Sequence, residues 1–378
     1  MTLLFPILFG LAALSLAIWT YLLFLRGGFW KADQELGPAG TLDEWPAVVA
    51  VIPARAEAPT IGRAVNSLLA QDYPGELAII VVDDGSGDGT AEAAGASERL
   101  RVIEGAALAE GWTGKLWAVS QGIAAAPPTA TYLLLTDADI VHHPENLRQL
   151  VFKAESKRLD LVSLMVGLHC QSFWERRLIP AFVFFFQKLY PFPWVNDPAR
   201  STAAAAGGCM LVRRRALEAA GGVAAVRDRL IDDCALAGLL KVHGPIWLGL
   251  SHETHSLRSY QRLSEIWNMV ARTAFVQLDH SAVLLLGAVF GMGVLYLVPP
   301  IAAIAGLLTG QTGLELLGAA AWAAMTAAYA PTLRLYGQRS AHTLWLPIVG
   351  LLYAMMTVSS ALRHWRGRGG GWKGRHYG

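Results

Sequence analysis

Two acidic clusters directly follow two short apolar segments of this 378-residue chain. Residues 78–82 (Ala-Ile-Ile-Val-Val) precede an Asp-Asp pair, and residues 132–136 (Tyr-Leu-Leu-Leu-Thr) precede an Asp-Ala-Asp sequence. Short apolar runs bounded by turn residues predict buried strands. Open α/β sheets bind ligands at the carboxyl ends of their strands, and an Asp-X-Asp pair suits a hard divalent cation held together with a diphosphate. The acidic residues that predict this site are Asp83, Asp84, Asp137 and Asp139.

Strand and helix patterns alternate between residues 48 and 136. Strands are predicted at residues 48–52, 78–82, 100–103 and 132–136, and helices at residues 60–71, 90–95 and 115–126. Such alternation predicts parallel βαβ units with helices on both faces of the sheet. The predicted fold class is therefore α/β, with a mostly parallel sheet and flanking helices, in a domain that spans residues 45–279.

Apolar segments at both ends of the chain predict membrane helices. The first, residues 3–25, is long enough to cross a bilayer, and it has neither a basic region before it nor a small-residue cleavage site after it. We therefore expect residues 1–30 to form an uncleaved anchor. The predicted C-terminal transmembrane region, residues 281–362, contains candidate spans at residues 281–308, 314–329 and 344–362.

The basic residues that flank these segments predict an orientation. No Lys or Arg precedes the first segment, whereas Arg26 and Lys31 follow it, so the positive-inside rule places residues 45–279 in the cytoplasm. We expect the basic tail, residues 363–378, to be cytoplasmic as well. Three full C-terminal crossings would put the tail outside, so we expect one of those segments to be re-entrant or split.

Composition narrows the class of protein further. The chain is 54% hydrophobic and 16% charged, which is more apolar than a typical soluble protein. A formal net charge of only +2 gives no support for a nucleic-acid partner. The three cysteines form no CxxC pair, which favours structural thiols in a reducing compartment.

Five segments, in order, resemble motifs of family 2 glycosyltransferases with the GT-A fold. They are VAVIPARAE at residues 49–57, VDDGSGDGT at 82–90, TDAD at 136–139, GGCMLVRRRALEAAGG at 207–222 and IDD at 231–233. The resemblance covers residues 48–275. Residues 111–122, 251–258 and 260–275 resemble more closely the hopene-associated branch of that family.

This resemblance implies a membrane-bound, inverting glycosyltransferase. It would move a sugar from a nucleotide sugar, expected to be UDP-linked, to a lipid acceptor, with a hopanoid-type acceptor favoured. The implied location is the bacterial inner membrane, with several crossings and the catalytic domain facing the cytoplasm. Three alternatives stay open: a polyprenyl-phosphate glycosyltransferase, a polysaccharide synthase and a catalytically inactive membrane scaffold.

The resemblance also assigns donor-side roles. Asp139, with Asp137 beside it, is expected to hold Mg²⁺ or Mn²⁺, and a carboxylate at Asp83 or Asp84 suits the hydrogen-bond donors of a base and ribose. Each position has a structural alternative, since Asp-Asp-Gly-Ser makes good Asx turns and a lone Lys115 is commonly solvated. The expected donor-binding residues are Pro53, Arg55, Glu57, Asp83, Asp84, Lys115 and Asp137.

The acceptor side is expected to contain the catalytic base. By resemblance the base is Asp233, with Asp232 beside it, because inverting transfer to a hydroxyl needs one carboxylate to take the proton. The alternative role of this pair is to cap a helix. Residues 173–194 and 258–275 are expected to form helices at the membrane interface, although a core helix fits the first equally well. The remaining residues expected on the acceptor or diphosphate side are Gly207, Gly208, Arg258, Arg262, Trp267 and Arg272.

Overall fold

The computed structural model describes residues 4–369, 371–372 and 375–376. The first three residues of the predicted anchor lie outside the described residues. So do residues 370, 373–374 and 377–378 of the predicted basic tail.

A mixed eight-stranded sheet forms the centre of the molecule. Its strands run in the order β3-β2-β1-β4-β7-β6-β8-β5. Four of the seven neighbouring pairs are parallel, which confirms the predicted α/β fold with a mostly parallel sheet. The strands are β1 (Val48–Ala54), β2 (Leu77–Asp83), β3 (Leu100–Glu104), β4 (Tyr132–Thr136), β5 (Ile140–Val141), β6 (Leu161–Gly167), β7 (Cys209–Arg213) and β8 (Ile246–Ser256), with a separate pair, β9 (Gly371–Trp372) and β10 (Arg375–His376).

Fourteen α-helices are found among the described residues. The predicted helices of the central domain are all present, with shifts of a few residues at their ends. The helices are α1 (Leu4–Phe24), α2 (Ile61–Leu69), α3 (Thr90–Ala93), α4 (Gly114–Ala125), α5 (Asn146–Ser156), α6 (Glu175–Leu189), α7 (Phe192–Val195), α8 (Arg214–Ala219), α9 (Asp232–Lys241), α10 (Leu263–Thr273), α11 (Ala282–Met292), α12 (Val298–Thr309), α13 (Thr312–Leu335) and α14 (Leu346–Trp365).

The sheet is covered on both faces because its central strands are apolar on both sides. Along β1, Val49 and Val51 pack with α4 and α9, whereas Val48, Ala50 and Ile52 pack with α2 and α5. Successive side chains of a strand point to opposite faces, so one strand contributes to both cores. All seven residues of β1 are buried, as expected for a central parallel strand.

Strand register brings the predicted site residues to one edge. In the parallel pair β1–β2, Ala54 is opposite Asp83, and in β1–β4, Val51 is opposite Leu135. The carboxyl ends of β1, β2 and β4 therefore lie side by side. The two acidic clusters that follow β2 and β4 share this edge, as the sequence predicted.

Four helices are long and apolar enough to cross a membrane. They are Phe5–Phe24, Ala282–Thr309, Thr312–Leu335 and Ser340–Trp365. The second contains α11 and α12, which are joined by a π-helical turn at Gly293–Leu297. Pro299 and Pro300 lie in the first turn of α12, directly after this π-helical turn, and do not break the helix. Apolar helices that fit a bilayer are thus present at both ends of the chain.

Small residues allow the second and third of these helices to pack closely. A Cβ atom on Gly306 would lie 2.3 Å from the backbone nitrogen of Glu315, and one on Gly318 would lie 2.3 Å from that of Ala303. Such close backbone approach is typical of helix pairs in membranes. The turn between the two helices, at Gly310 and Gln311, is distant in sequence from the sheet.

Helix α14 contacts the central domain at both ends. At its start, the Arg177 guanidinium of α6 lies 4.9 Å from the ring of Trp345, and the Tyr353 hydroxyl donates to the carbonyl of Leu178 at 2.8 Å. At its end, Arg363 donates to the Asn268 side chain of α10 at 2.8 Å. Helix α14 therefore runs from α6 to α10 along the side of the domain that faces the long apolar helices.

Candidate active site

A cavity of about 670 Å³ opens at the carboxyl edge of the sheet. It extends from the strand ends to helices α6 and α10 and the end of α14. Eleven of the sixteen site residues predicted from the sequence line it: Pro53, Glu57, Lys115, Asp137, Asp139, Gly207, Gly208, Asp232, Asp233, Arg258 and Arg272.

Lys115 lies among three carboxylates at the sheet side of the cavity. Its ammonium is 3.0 Å from Asp137 and 3.4 Å from Asp232. Burial alone would lower the pKa of Lys115, but the charges of Asp137, Asp232 and Asp233 reverse that effect and raise it. The solvated-lysine alternative is therefore wrong, because Lys115 is only partly exposed and its ammonium is paired with carboxylates of the acidic cluster.

Asp233 is held at the start of α9. Its Oδ2 atom accepts from the backbone N–H of Gly207 at 2.9 Å, and its Oδ1 atom accepts from the N–H of Cys234 at 2.8 Å. Burial, and then the charge of Asp232, raise the pKa of Asp233 to about 6. A carboxylate with this pKa can exchange a proton near neutral pH.

The expectation that this acidic pair caps α9 is wrong. The helix begins at Asp232, and the residue in the N-cap position is Ile231, whose side chain makes no capping hydrogen bond. Both carboxylates lie in the first turn, where negative charge interacts favourably with the helix dipole.

Gly207, two residues before β7, leaves little room for a side chain beside Lys115. A Cβ atom here would lie 3.0 Å from the Lys115 ammonium and 3.4 Å from Asp233. Gly208 has a different role, because its carbonyl accepts from the Thr136 hydroxyl at 2.7 Å and links β7 to the end of β4. The acceptor-side motif thus places Asp233 beside the Asp-X-Asp strand end.

Asp139 is buried and fixed by the end of β8. Its Oδ2 atom accepts from the Ser256 hydroxyl at 2.8 Å and from Arg258 Nε at 3.1 Å. The same guanidinium donates to Glu57 at 2.6 Å. Arg258 therefore joins residues that follow β1, β4 and β8 into one cluster.

The Asp137 and Asp139 carboxylates alone supply too few ligands for a hard divalent cation, so other ligands, such as substrate phosphates, must complete the site. Among the described residues, no group of three or more His, Cys, Asp or Glu side chains is arranged to hold a metal ion. The contacts described above use one oxygen of each carboxylate, Oδ1 of Asp137 and Oδ2 of Asp139. Magnesium takes six oxygen ligands and is commonly held by one or two carboxylates with substrate phosphates, so the pair fits such a site.

Five predicted residues do not line the cavity: Arg55, Asp83, Asp84, Arg262 and Trp267. Asp83 accepts from the N–H of Ser86, three residues further on, at 3.1 Å, so its carboxylate stabilises the turn that follows β2. Asp84 is buried and forms an ion pair with Arg55 at 3.4 Å. These residues lie at the ends of β1 and β2, beside the cavity.

Arg262 and Trp267 belong to the start and middle of α10. The backbone N–H of Arg262 donates to Glu265 at 3.1 Å, and Trp267 packs with the cluster that joins α6, α10 and the membrane-type helices. The contacts of both residues therefore involve α10 and its packing, and not the cavity.

Several residues of the cavity were missed by the sequence analysis. Ser256 positions Asp139, and Phe182 and Phe186 of α6 give the cavity an apolar wall. Arg363 and Arg368 reach the cavity from the end of α14. Only the basic character of the tail signalled the last two, because nothing local predicts that α14 returns to the site.

Comparison with known proteins shows which family the central domain is similar to. Residues 49–221 match the sequence model of Glycosyl transferase family 2. This region contains β1 to β7 and both acidic clusters. A search of curated protein sequences finds no match.

A mannosyltransferase from Pyrobaculum calidifontis, solved in complex with GDP-Man and Mn²⁺, has a similar structure. The similarity covers 95% of this chain and 99% of that one, with a TM-score of 0.56 and 19% sequence identity. The two proteins therefore share a fold over nearly their whole lengths, including the terminal helices.

Two further solved structures are similar over a smaller part. Mannosyl-3-phosphoglycerate synthase from Rubrobacter xylanophilus has 20% identity and a TM-score of 0.40, covering 67% of this chain and 79% of that one. Glucosyl-3-phosphoglycerate synthase from Mycobacterium tuberculosis, in complex with Mn²⁺ and UDP-glucose, has 19% identity and a TM-score of 0.40, covering 62% and 78%. The family match covers residues 49–221, a little under half of the chain, and it supports a glycosyltransferase enzyme whose central domain is similar to family 2 glycosyltransferases.

Proposed function

We propose that this glycosyltransferase transfers a sugar from a nucleotide sugar to a lipid acceptor at the membrane surface, with inversion at the anomeric carbon. One observation carries the proposal. A single cavity joins the acidic edge of the sheet to α6, α10 and α14, the helices that pack against the membrane-type helices. A donor held at the strand ends and a lipid that enters between these helices would meet in that cavity.

The donor side is assigned to the residues around the ends of β1, β2 and β4. The similar mannosyltransferase was solved with GDP-Man and Mn²⁺, which supports a nucleotide sugar and a divalent cation for this fold. Asp139 and Asp137 would hold Mg²⁺ or Mn²⁺, which when bound offsets the charge that develops on the leaving diphosphate. Asp83 and Asp84, beside the cavity, are proposed to accept hydrogen bonds from the nucleoside, for which a UDP-linked donor is expected from the sequence.

Lys115 and Arg258 complete the donor side. Lys115 supplies a fixed positive charge between Asp137 and Asp232, at the N-terminus of α4. Arg258 orients Asp139 and Glu57. Both cations offset carboxylate charge that would otherwise repel an anionic donor.

Asp233 is proposed as the general base. The acceptor hydroxyl oxygen forms a bond to the anomeric carbon, while the bond from that carbon to the diphosphate oxygen breaks on the opposite side. The hydroxyl proton passes to Asp233, whose pKa of about 6 suits this role. The N–H groups of Gly207 and Cys234 orient the carboxylate for the transfer.

The acceptor side is lined by apolar side chains. They come from the sheet and from α6 and α10, and they are Ile140, Met165, Val166, Leu168, Phe182, Phe186 and Met269. Such a wall suits a hydrocarbon more than a soluble acceptor. From the sequence resemblance, a hopanoid-type lipid is the acceptor to be tested first.

The membrane arrangement that fits these contacts has three crossings. We assign them to α1, to the helix Ala282–Thr309 and to α13, with the central domain and the basic tail both in the cytoplasm. Helix α14 then lies at the interface, because it contacts α6 at its start and α10 at its end. Its exposed residues Ile348, Leu351 and Met355 recur at helical spacing and would face lipid. With only two C-terminal crossings, the basic tail is on the same side of the membrane as the central domain, as the sequence predicted.

Transfer to a lipid phosphate is the second candidate function. It is favoured by Arg363 and Arg368 at the end of α14, which line the cavity and offer positive charge to a phosphate. A phosphate acceptor is already ionised and needs no base. The two candidates differ in their dependence on Asp233.

Lipid extracts test the proposed function. A strain that lacks the chain is complemented with the wild type or with Asp139→Ala, and the extracts are compared by mass spectrometry. We expect one lipid series that is heavier by a sugar residue with the wild type and absent with the variant. Identical lipid profiles in all three strains would contradict a lipid acceptor.

A further inference from the structure

Three arginines line the end of the cavity that is formed by α10 and the end of α14, which we call its membrane-side mouth. Arg272 lies in the last turn of α10, Arg363 lies in the last turn of α14, and Arg368 follows that helix. All three line the cavity although they come from segments about ninety residues apart. Helix α14 therefore supplies a part of the site that lies outside the matched family region.

The end of α14 has a geometry that turns Arg368 back toward the cavity. The N–H of Arg368 donates to the carbonyl of Arg363 at 2.8 Å, and the N–H of Gly367 donates to that of His364 at 2.9 Å. These two bonds, with Gly367 at φ 66°, form a Schellman motif. The position of Arg368 is thus fixed by the helix cap.

The positive charge of this group is not neutralised by the described protein. Within the described residues, none of the three arginines forms an ion pair with a carboxylate. Arg363 donates to the neutral amide oxygen of Asn268 at 2.8 Å. Glu265, an acid on the same wall, instead accepts from the N–H of Arg262 at 3.1 Å.

The sheet side of the cavity is different, because its cations are already paired. Lys115 is within ion-pair distance of Asp137 and Asp232, and Arg258 is within that distance of Asp139 and Glu57. The cavity is thus acidic at the strand ends and basic at the membrane helices.

We propose that Arg272, Arg363 and Arg368 form a phosphate-binding site at the membrane-side mouth of the cavity. Guanidinium groups bind phosphate through charge-assisted, bidentate hydrogen bonds, and three of them match the oxygens of a phosphate ester. The phosphate comes either from the lipid acceptor or from the diphosphate of the donor. The site deepens the proposed function, on which the identity of its ligand rests, and it makes the C-terminal helix part of substrate recognition.

Binding of short probes to the purified full-length chain in detergent tests this site. The probes are farnesyl phosphate, its uncharged counterpart farnesol, and UDP or GDP with Mn²⁺. The double variant Arg363→Gln/Arg368→Gln is compared with the wild type. The matched control is Arg366→Gln, which removes an exposed charge of the same segment that does not line the cavity. Unchanged thermal unfolding of each variant confirms that the fold is intact.

If the phosphate belongs to the lipid acceptor, the double variant should lose affinity for farnesyl phosphate only. The Kd of farnesyl phosphate should rise about 10- to 100-fold in the double variant, because each hydrogen bond to a charged group is worth roughly one factor of ten or more. The Kd values of farnesol and of the nucleotides should not change, and the control should match the wild type. A rise in the nucleotide Kd alone would assign the same site to the donor diphosphate.

The proposal is overturned if neither the nucleotides nor farnesyl phosphate bind more weakly to the double variant. It is also overturned if Arg366→Gln has the same effect, since the loss would then reflect general charge. These outcomes are separate from a failure of the proposed function. If only the proposed function fails, the probes would still bind the arginines although no sugar reaches a lipid.

Discussion

The ammonium of Lys115, at the start of α4, lies 3.0 Å from the Oδ1 atom of Asp137, just beyond the end of β4. The same ammonium lies 3.4 Å from Asp232 at the start of α9. One cation therefore joins the Asp-X-Asp strand end to the acceptor-side motif. Loss of this charge should affect both halves of the site at once.

Lys115→Met should lower kcat/KM about 10- to 100-fold, because a charge-assisted hydrogen bond is worth roughly 1.5–3 kcal/mol. Without the ammonium, the pKa of Asp233 should rise above about 6, since Lys115 opposes the effect of burial. The acid limb of the pH–rate profile should therefore move to higher pH. Lys157→Met, at an exposed position, is the control. An unmoved acid limb in Lys115→Met would contradict this coupling.

Wild-type kcat/KM should rise with pH through about 6. The pKa of Asp233 is raised, so below that pH the carboxyl group is protonated and cannot accept the hydroxyl proton. Activity should fall about tenfold for each pH unit below the pKa. A profile that is flat between pH 5 and 8 would exclude Asp233 as the base.

Asp233→Asn should reduce kcat by about 10²- to 10⁴-fold while leaving nucleotide affinity nearly unchanged. Asn keeps the size of the side chain but cannot take the proton. Asp232→Asn should have the smaller effect, because Asp232 contacts Lys115 and is not the proposed base. Near wild-type transfer by Asp233→Asn would favour a phosphate acceptor.

Asp139→Asn should abolish the strengthening of UDP binding by Mn²⁺ in titration calorimetry. The amide keeps one oxygen but loses the charge that a hard cation prefers. Affinity measured without metal should change much less. Asp72→Asn, which alters an exposed carboxylate, should behave as the wild type. Equal enhancement by Mn²⁺ in wild type and Asp139→Asn would remove Asp139 from the metal site.

Cysteine labelling of intact spheroplasts tests the three-crossing arrangement. A cysteine at Gln311, in the exposed turn between α12 and α13, should react with a membrane-impermeant reagent. Cysteines at Glu98 and Arg366 should react only after the membrane is opened. Labelling of Arg366→Cys from outside would show that α14 crosses, and labelling of Glu98→Cys would reverse the whole orientation.

Local sequence was sufficient to predict the strands that end at the site. The run before Asp83 and the run before Asp137 are apolar and bounded by turn residues, so their identity as strands depends on nearby residues alone. Lys115, Gly207 and Asp233 were also singled out from the sequence, Lys115 by its place at the start of a predicted helix and the other two by the resemblance. The two acidic clusters share one edge because β1 is parallel to β2 and β4, whereas Gly207 reaches that edge through the pairing of β7 with β4 and contacts Asp233 there.

Long-range packing explains what the sequence did not predict. Asn268 and Arg363 are separated by 95 positions, and their contact depends on how α14 packs against α10. Ser256 and Asp139 are separated by 117 positions and meet because β5 pairs with the end of β8, where Ile140 is opposite Ser256. The antiparallel strand β7 between β4 and β6 was likewise not anticipated. Such pairings leave no local pattern, because their energy comes from tertiary contacts.

Transfer of radioactivity from a nucleotide sugar to lipid tests the central claim most directly. The purified chain is incubated with Mn²⁺, bacterial lipid extract and, in turn, UDP- and GDP-linked sugars labelled in the sugar, and the organic phase is counted. The account predicts label in an organic-soluble product with one of these donors, lost in Asp139→Ala and in Asp233→Asn. Label that stays in water-soluble products with every donor, from an enzyme that binds and hydrolyses one of them, would contradict it.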